Sequence, residues 1–520
     1  MRLVASSPHE GRGRRTVARF KRTPLRLSAV LAPLMLGACN FAPEYAPPVI
    51  EMPAQFKEAH GVGWETARPC DDQPRGTWWR SFNDRGLDEL EPQIDEANQD
   101  LAAALAALDQ ARSYVAKAQA ALLPSVNLDN SYSANKQSRH RPLRKANTPF
   151  SVNGQIESWQ DTRPLNEPDH YGDNLLTLQS SYEVDLWGRV RNSIAVGEAN
   201  AEGRAAQMES VRLSLQAELA RIYLALRGLD SEVRLLNDTI EAYKRALALT
   251  RVRVEGQIAS PEDQARAEAQ LELARAQVVD LLGQRAQLEH AIATLIGKPA
   301  SSFTLRPASL VEKTPAIPPS VPSALLERRP DIAAEERQVA AANAQIGVAR
   351  AAFFPRLMIN LSGGTQDTGL SLLNMRNSIW SLGPSITLPI FDAGARAADL
   401  AGAEAAYLET VARYRGSVLR AIQEVEDSLA NLRWLAKGVQ SMETASNAAD
   451  KVLGISLTLY RDGATNYLDV VTAQTAALEA RRSVLSLKTR RQEAAVALML
   501  ALGGGWPTPA PAPEQICMSH

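Results

Sequence analysis

The chain has 520 residues, a formal charge of −1, 45% hydrophobic residues and only 5% aromatic ones. That length can bury a large core, and the low aromatic share with much Ala, Leu, Gln, Glu and Arg favours helices over compact sheet domains. No run of 18 or more apolar residues occurs, which excludes a spanning membrane helix but not a β-barrel, whose strands give weak hydropathy signals.

Residues 1–38 stand apart. Arg2, Arg12, Arg14, Arg15, Arg19, Lys21, Arg22 and Arg26, set against Glu10, precede an apolar run from Leu27 to Leu36, the layout of a signal peptide with a long basic front. The run ends Leu36-Gly37-Ala38-Cys39, which resembles the lipobox of bacterial lipoproteins. The resemblance implies cleavage before Cys39 and a covalent N-acyl and S-diacylglycerol lipid on that residue, with no other cofactor. Asn40 in place of an aspartate implies delivery to the outer membrane. Cleavage removes eight positive charges and one negative charge, taking −1 to −8. The mature chain is acidic and carries no nucleic-acid footprint. Cys70 and Cys517 remain, and an oxidising periplasm allows them to pair, although their spacing does not require it.

Pro43, Pro47, Pro48 and Pro53 then space out an extended segment, because proline fixes φ and removes a backbone donor. Trp78 and Trp79 read as core anchors ahead of an amphipathic helix start at Leu87, Leu90 and Ile94. From Gly188 to Gly256 there is no proline. Within it Leu215, Leu219, Ile222, Leu226, Leu229, Val233, Leu236, Ile240, Tyr243 and Leu247 step by four and three, a heptad seam. A helix filling that stretch would be on the order of 100 Å long. It needs neighbours along its whole length, since burial of the stripe rather than propensity holds such a helix. A dimeric or self-folded coiled coil meets that need as well as any other assembly.

The chain is a tandem duplication. Asp100-Leu101-Ala102 through Leu122-Leu123-Pro124 returns as Asp331-Ile332-Ala333 through Phe353-Phe354-Pro355, 231 residues later. Gly188 meets Gly394 at 206, Gly256 meets Gly463 at 207, Asp263 meets Asp469 at 206 and Gly297 meets Gly503 at 206. About 25 extra residues therefore lie between Pro124 and Gly188, in a surface loop. The organisation read from this is a signal peptide over 1–38 and a lipid-anchored extended segment over 39–86. Repeat 1 covers 87–300 with a β-hairpin over 125–187, a linker follows over 301–322, repeat 2 covers 323–503 with a hairpin over 356–391, and 504–520 form a disordered tail.

Each repeat holds two runs of period two: Val126-Asn127-Leu128 with Tyr132 and Leu176 to Leu186, then Leu357 to Leu361 and Trp380 to Ile390. As membrane strands they turn an apolar face to lipid and a polar face to a lumen. Four strands cannot close a barrel, and open edges are intolerable in lipid, so several chains must share one barrel. Between the first pair, roughly Ser133 to Asp173, lies a charged loop carrying Lys136, Arg139, His140, Arg141, Arg144 and Lys145; the second, Gly363 to Asn377, is short. Further helices are expected over 261–296, 324–354, 394–460 and 467–502, the third with a seam at Val418, Ile422, Val425, Leu429, Leu432, Ala436 and Val439.

This arrangement resembles the outer-membrane factors of tripartite efflux pumps and type I secretion, the TolC-like family, in its OprM/NodT-type lipoprotein branch. The resemblance covers essentially the whole mature chain. It is most specific in Leu325-Leu326-Glu327-Arg328-Arg329-Pro330-Asp331-Ile332, in Ala341-Ala342-Asn343-Ala344-Gln345-Ile346-Gly347, and in Tyr460-Arg461-Asp462-Gly463 with Asn466-Tyr467-Leu468-Asp469. It implies a mainly α fold with membrane β: four transmembrane strands and long coiled-coil helices, assembled as a homotrimer with a 12-stranded β-barrel, an α-helical barrel and a mixed belt. The implied partners are a periplasmic membrane-fusion adaptor, an inner-membrane, proton-driven transporter and outer-membrane lipid. Carried over by position, the turn glycines are Gly256 and Gly463, and the periplasmic gate falls on Asp263, Tyr460 and Asp469, with Thr465 where some relatives have arginine and Thr472 where many have an acid. The turns Gly256 to Ser260 and Gly463 through Asn466 to Tyr467 would meet the adaptor. A tyrosine hydroxyl at such a gate can bridge to a neighbouring helix's carboxylate. From the residues alone, Asp263 and Asp469 are equally ordinary helix-start acids favoured by the helix dipole.

The function implied is a passive export duct for drugs or other small molecules. The alternative is a periplasmic adaptor-like coiled-coil lipoprotein, which also carries long hairpin helices. Catalysis finds no footing: His9, His60, His140, His170, His290 and His520 are scattered, with no metal spacing or nucleophile motif.

Overall fold

The computed structural model describes residues 40–53, 56–58, 76–136, 150–152, 155–157, 170–311, 314–315, 328–369 and 374–504. The signal peptide, Cys39, Cys70, Cys517 and the C-terminal tail lie outside them, as does most of the charged first loop.

In chain order the helices are α1 (Arg85–Leu90), α2 (Pro92–Ala97), α3 (Gln99–Ala120), α4 (Arg189–Glu255), α5 (Pro261–Leu295), α6 (Pro330–Ala351), α7 (Ala395–Arg461) and α8 (Tyr467–Ala501). The strands are β1 (Ser125–Lys136), β2 (Phe150–Val152), β3 (Gln155–Glu157), β4 (His170–Val184), β5 (Arg356–Asp367) and β6 (Ser378–Thr387). Repetition extends to element lengths: 22 residues for α3 and α6, 67 for α4 and α7, and 35 for α5 and α8.

Three expectations change. The start at Leu87 to Ile94 is not one helix, because Pro92 interrupts it and Glu91 joins two six-residue helices. The extended segment does not run to 86: Trp78–Phe82 form a 3₁₀ turn, and Asp84 caps α1 by accepting from the Gly86 and Leu87 amides. β1, β4 and β5 run longer than the period-two runs, whereas β6 stops at Thr387, short of Ile390. β1 reaches Lys136 and β4 begins at His170, while β2 and β3 make a small hairpin inside the first loop that no alternation announced.

The main sheet has the order β1-β4-β5-β6 with every pair antiparallel. Its register places Leu128 opposite Leu178, Ser180 opposite Leu361, and Leu361 opposite Leu382. Since side chains alternate along a strand, one face gathers Val126, Leu128, Tyr132, Leu178, Ile359, Leu361, Trp380, Leu382 and Ile386, all exposed. The other face carries Asn127, Gln179, Ser181, Asn360, Ser362, Ser381 and Ser385. There a polar ladder crosses three strands, from the Ser181 hydroxyl to Asn360 at 3.1 Å and from the Asn360 amide to Ser385 at 3.1 Å. β1 and β6 are the free edges of this sheet.

Beyond the sheet the helices stand side by side. Next to it the sequence of neighbours is α3, α4, α6, α7; further away it is α5, α4, α8, α7. Along α4 the seam residues Leu219, Ile222, Leu226, Leu236, Ile240, Tyr243 and Leu247 are all buried. The seam of α7 is less covered, and Leu408, Leu419, Trp434, Val452 and Ile455 remain exposed beside it.

Midway along the helices, Trp78, Trp79, Phe82, Leu87 and Ile94 pack on Leu219, Ile222, Tyr223 and Leu226 of α4 and on Ile292 of α5. The two tryptophans are core anchors: both are buried, with their rings edge-on at 6.0 Å. The segment after α5 folds back on the same region, held by buried charges. Asp230 pairs with Arg227 at 3.0 Å and with Arg285 at 2.6 Å, and it also accepts from the Ala308 amide at 3.0 Å. The N-terminal strand of chain, 40–53, is pinned along α6. Asn343 donates to the Pro43 carbonyl at 2.8 Å, and the Tyr45 hydroxyl donates to the Glu336 carboxylate. Gly347 permits that approach, since a Cβ there would stand 2.7 Å from Ala42 Cβ and 2.5 Å from Asn192 Nδ2.

Candidate functional site

Two places combine contact between repeats with polar chemistry: the helical turns far from the sheet, and the junction where strands become helices.

At the turns, each return helix starts at a side-chain cap. Ser260 caps α5, its hydroxyl accepting from the Asp263 amide while the Asp263 carboxylate reaches back to the Ser260 amide, a capping box. Asn466 caps α8 by accepting from the Asp469 amide at 3.1 Å, and the Thr465 hydroxyl donates to the Asp469 carboxylate. Asp263 and Asp469 are therefore both first-turn acids, where the dipole favours a carboxylate, but only the Asp263 carboxylate takes part in capping; that of Asp469 is held by Thr465.

The turn glycines are not equivalent. α4 ends at Glu255 and α7 at Arg461, 206 apart, as are their starts. Gly256 has φ −78°, and the left-handed residue of the first turn is Gln257 at φ 57°; in the second it is Gly463 at φ 80°. The match of Gly256 with Gly463 at 207 is thus one residue out of structural register. A non-glycine in the left-handed region costs about 1 kcal/mol, so the first turn is the strained one.

Tyr460 is buried between the hairpins, with its ring edge-on to Tyr467 at 5.3 Å. Its hydroxyl donates to Thr250 of α4 at 3.3 Å rather than to a carboxylate, which corrects the expected bridge. Arg253 of α4 stacks on the Tyr460 ring at 4.7 Å and donates to the carbonyls of Tyr460 and Arg461. Around these side chains Tyr243, Leu247, Ala267, Leu271, Tyr467 and Val470 form one apolar cluster contributed by all four helices. Burial, with Tyr460, Tyr243 and Asp263 nearby, pushes the Tyr467 hydroxyl up to about 12. Gln270 of α5 donates to the Tyr243 hydroxyl at 3.3 Å and to Thr475 of α8 at 3.1 Å, a second polar link.

Tyr460 and Tyr467 lie at the helix ends beside the turns; the sequence did not single out Arg253, Thr250 or Gln270. One signal was available: the heptad step after Leu247 lands on Thr250, a polar residue in an apolar seam.

At the other end, Trp187 follows β4 and donates its ring N–H to the Pro355 carbonyl at 2.7 Å. Phe354 stacks on it at 5.0 Å, and Phe41 stacks on Phe354 at 4.4 Å. Arg189 clamps Glu183 with two hydrogen bonds of 2.8 and 2.7 Å, and Arg191 pairs with Asp185 at 3.2 Å. Of these, Trp187, Phe354, Pro355, Glu183, Asp185 and Arg189 line a cavity of about 390 Å³. A tryptophan, with an apolar ring and a polar N–H, set at the rim of an apolar sheet face suits a membrane–water interface. Among the described residues no group of three or more His, Cys, Asp or Glu could hold a metal.

A four-stranded sheet with one apolar face, open at both edges and continued by paired helices of 67 residues, defines a segment of a membrane conduit. The comparisons with known proteins agree. The model of the outer membrane efflux protein family matches residues 91–298 and 321–504, one stretch per repeat. The chain belongs to that family. It is 31% identical over 486 residues to the outer membrane protein OprJ of Pseudomonas aeruginosa, covering 92% of this chain and 96% of that one. It is 27% identical to the cation efflux system protein CusC of Escherichia coli, covering 93% and 99%. Among solved structures, the outer-membrane channel OprN superposes with a TM-score of 0.77 at 28% identity, over 90% of this chain and 100% of that one.

Proposed function

We infer that the chain is the outer-membrane channel subunit of a tripartite efflux system, a passive duct that carries drugs or other small molecules outward. One observation carries this reading: the main sheet is complete on neither edge, yet one of its two faces is apolar and exposed. Exposed apolar side chains lie on both flanks of the helices in the same two places. Near the sheet these are Leu105 and Tyr114 on α3 and Leu408 and Leu419 on α7; near the turns they are Leu273, Val279 and Leu282 on α5 and Val452 and Ile455 on α7. Copies joined flank to flank cover both sets and close the strand edges, which lipid requires.

The copy number follows from lumen size. Two copies give eight strands, whose interior side chains fill, whereas three give twelve and leave a channel. The chain is thus read as a homotrimer. A periplasmic adaptor would seat on the exposed turns around Gly256, Ser260, Gly463 and Asn466, with Tyr467 buried behind them rather than in contact, and behind the adaptor would stand a proton-driven inner-membrane transporter. The name of CusC points to cations for that relative; here the cargo is set by the transporter. The adaptor alternative for this chain itself falls away with the family match.

Lipidation of Cys39 is part of the same proposal. Phe41, two residues later in the chain, packs into the Trp187 and Phe354 cluster at the strand–helix junction, the level at which an acyl chain enters the bilayer.

The test is twofold. Protein extracted from outer membranes should sediment as a trimer and give stepwise conductance in planar bilayers, and mass spectrometry should find a triacylated Cys39 at its amino terminus. A monomeric, non-conducting protein would overturn the duct, and an unmodified Cys39 the anchor.

A further inference from the structure

The two helical hairpins, α4–α5 and α7–α8, are joined at their turns by a side chain that the repeat does not predict. With the structural register at 206, the counterpart of Arg253 is Leu459, so nothing in repeat 2 duplicates this arginine. Arg253 leaves the last turn of α4 and reaches the end of α7, where it donates to two successive carbonyls, Tyr460 and Arg461. The final carbonyls of a helix form the negative end of its dipole, and a cation there gains both from that field and from charge-assisted hydrogen bonds. The same guanidinium lies on the Tyr460 ring, a third attachment to the same helix end.

The contact is poised rather than saturated. Arg253 Nε is buried and has no hydrogen-bond partner. A donor left dry in this way recovers water when the hairpins part, which offsets part of what the carbonyls supply. Around it the packing is interlocked. Tyr460 is held between Thr250 and Tyr467, so α7 cannot move off α4 at the turns without dragging that ring from under Arg253.

We propose that Arg253 is the positioning residue that ties the α7–α8 hairpin to α4 at the periplasmic turns, and that this tie must release for the turns to part. The proposal rests on the reading of the chain as a duct subunit. It adds a cationic tie between the repeats of one chain, distinct from the carboxylates of Asp263, engaged in capping its own helix, and Asp469, held by Thr465.

The experiment uses full-length protein in which Cys70 and Cys517 are replaced by serine and nitroxide labels are attached after Gln257→Cys and Ala464→Cys. Assemblies are diluted with unlabelled chain so that each carries one labelled copy. Electron–electron resonance then gives the distance distribution between the two turns, and planar bilayers give conductance. Arg253→Met, which keeps a long apolar stem over Tyr460, should raise the ratio of parted to joined turns about tenfold, the effect of losing one charge-assisted tie. Conductance should rise with it. Arg253→Lys should fall between, since an ammonium keeps the charge but not the planar fork. A distance distribution in Arg253→Met unchanged from the parent overturns the tie. If the parent itself never conducts, the duct reading fails, while the label distances still decide the role of Arg253.

Discussion

The carboxylate of Asp230 on α4 sits 2.6 Å from Arg285 on α5, with 3% of the aspartate and 11% of the arginine side chain exposed. Arg227 completes the buried group, donating to Asp230 and to the Arg306 carbonyl, while Arg285 donates to Glu289 and to the Leu305 carbonyl. This group fastens the returning segment after α5 to the middle of the helices. Removing the aspartate leaves the buried Arg227 without a carboxylate and the Ala308 amide short of an acceptor, while Arg285 keeps Glu289. Asp230→Ala should cost about 3–5 kcal/mol. Denaturant titration should show it, and Asp230→Asn, which keeps the hydrogen-bond acceptor, should cost less.

Glu91, at the joint between α1 and α2, is wholly buried, and neither carboxylate oxygen has a hydrogen-bond partner. Burial first, and then the neighbouring Asp95 and Asp88, hold its carboxyl well above the usual range. The folded state keeps this proton while the unfolded chain gives it up near pH 4.5. Its contribution to stability is therefore intact in acid and is lost as pH rises from that point towards the folded value. Glu91→Gln should raise the thermal midpoint at pH 8 and leave it nearly unchanged at pH 4. Equal effects at both pH values would show that the side chain acts through shape alone.

Tyr467 carries the same sign at the opposite end of the pH scale. Its hydroxyl, pushed up to about 12, stays protonated in the folded turns after the unfolded tyrosine has begun to ionise near pH 10. Stability of the turns should fall between pH 10 and 12, and Tyr467→Phe should remove that fall. Amide exchange of the α7 and α8 ends, followed across this window, reads it directly.

The two faces of the main sheet should respond oppositely to charge. Leu382 lies on the apolar face beside Leu361, and Ser381 lies on the polar one beside Ser362. Leu382→Lys should cost roughly 2–4 kcal/mol in the membrane-inserted form, lowering the yield of assembled protein in outer-membrane fractions. Ser381→Lys should assemble normally and change conductance or ion selectivity instead.

What the sequence made legible was whatever depends on local period and on chain punctuation. The proline-free run from Gly188 to Gly256 matched α4, the helices expected over 261–296 and 467–502 matched α5 and α8, and the alternation from Val126 to Tyr132 already assigned the two faces of β1. The duplication was legible because equal helices demand equal numbers of residues. Contacts between repeats were not legible, since no period within α4 says that Arg253 meets the end of a helix 207 residues later. The paired glycines misled for a related reason. A helix end needs a left-handed residue, and Gln257 fills that role beside a glycine that does not. Pro92 was visible, but packing on α4 decided that the chain would restart a helix there rather than kink one.

The equal length of α4 and α7 has one more consequence. Both arms begin at the same sheet and count off 67 residues to their turns, so they behave as matched gauge rods of about 100 Å. Deleting one residue from α4 alone would draw its turn back by about 1.5 Å and swing it by about 100°, carrying Arg253 to another side of the rod. Deleting a heptad from one arm would preserve the facing but leave the two turns about 10 Å out of level. Only whole heptads removed from both arms and from the return helices α5 and α8 together would shorten the assembly and spare its mouth. The depth to which it reaches is set twice in every chain, and the two settings can change only in step.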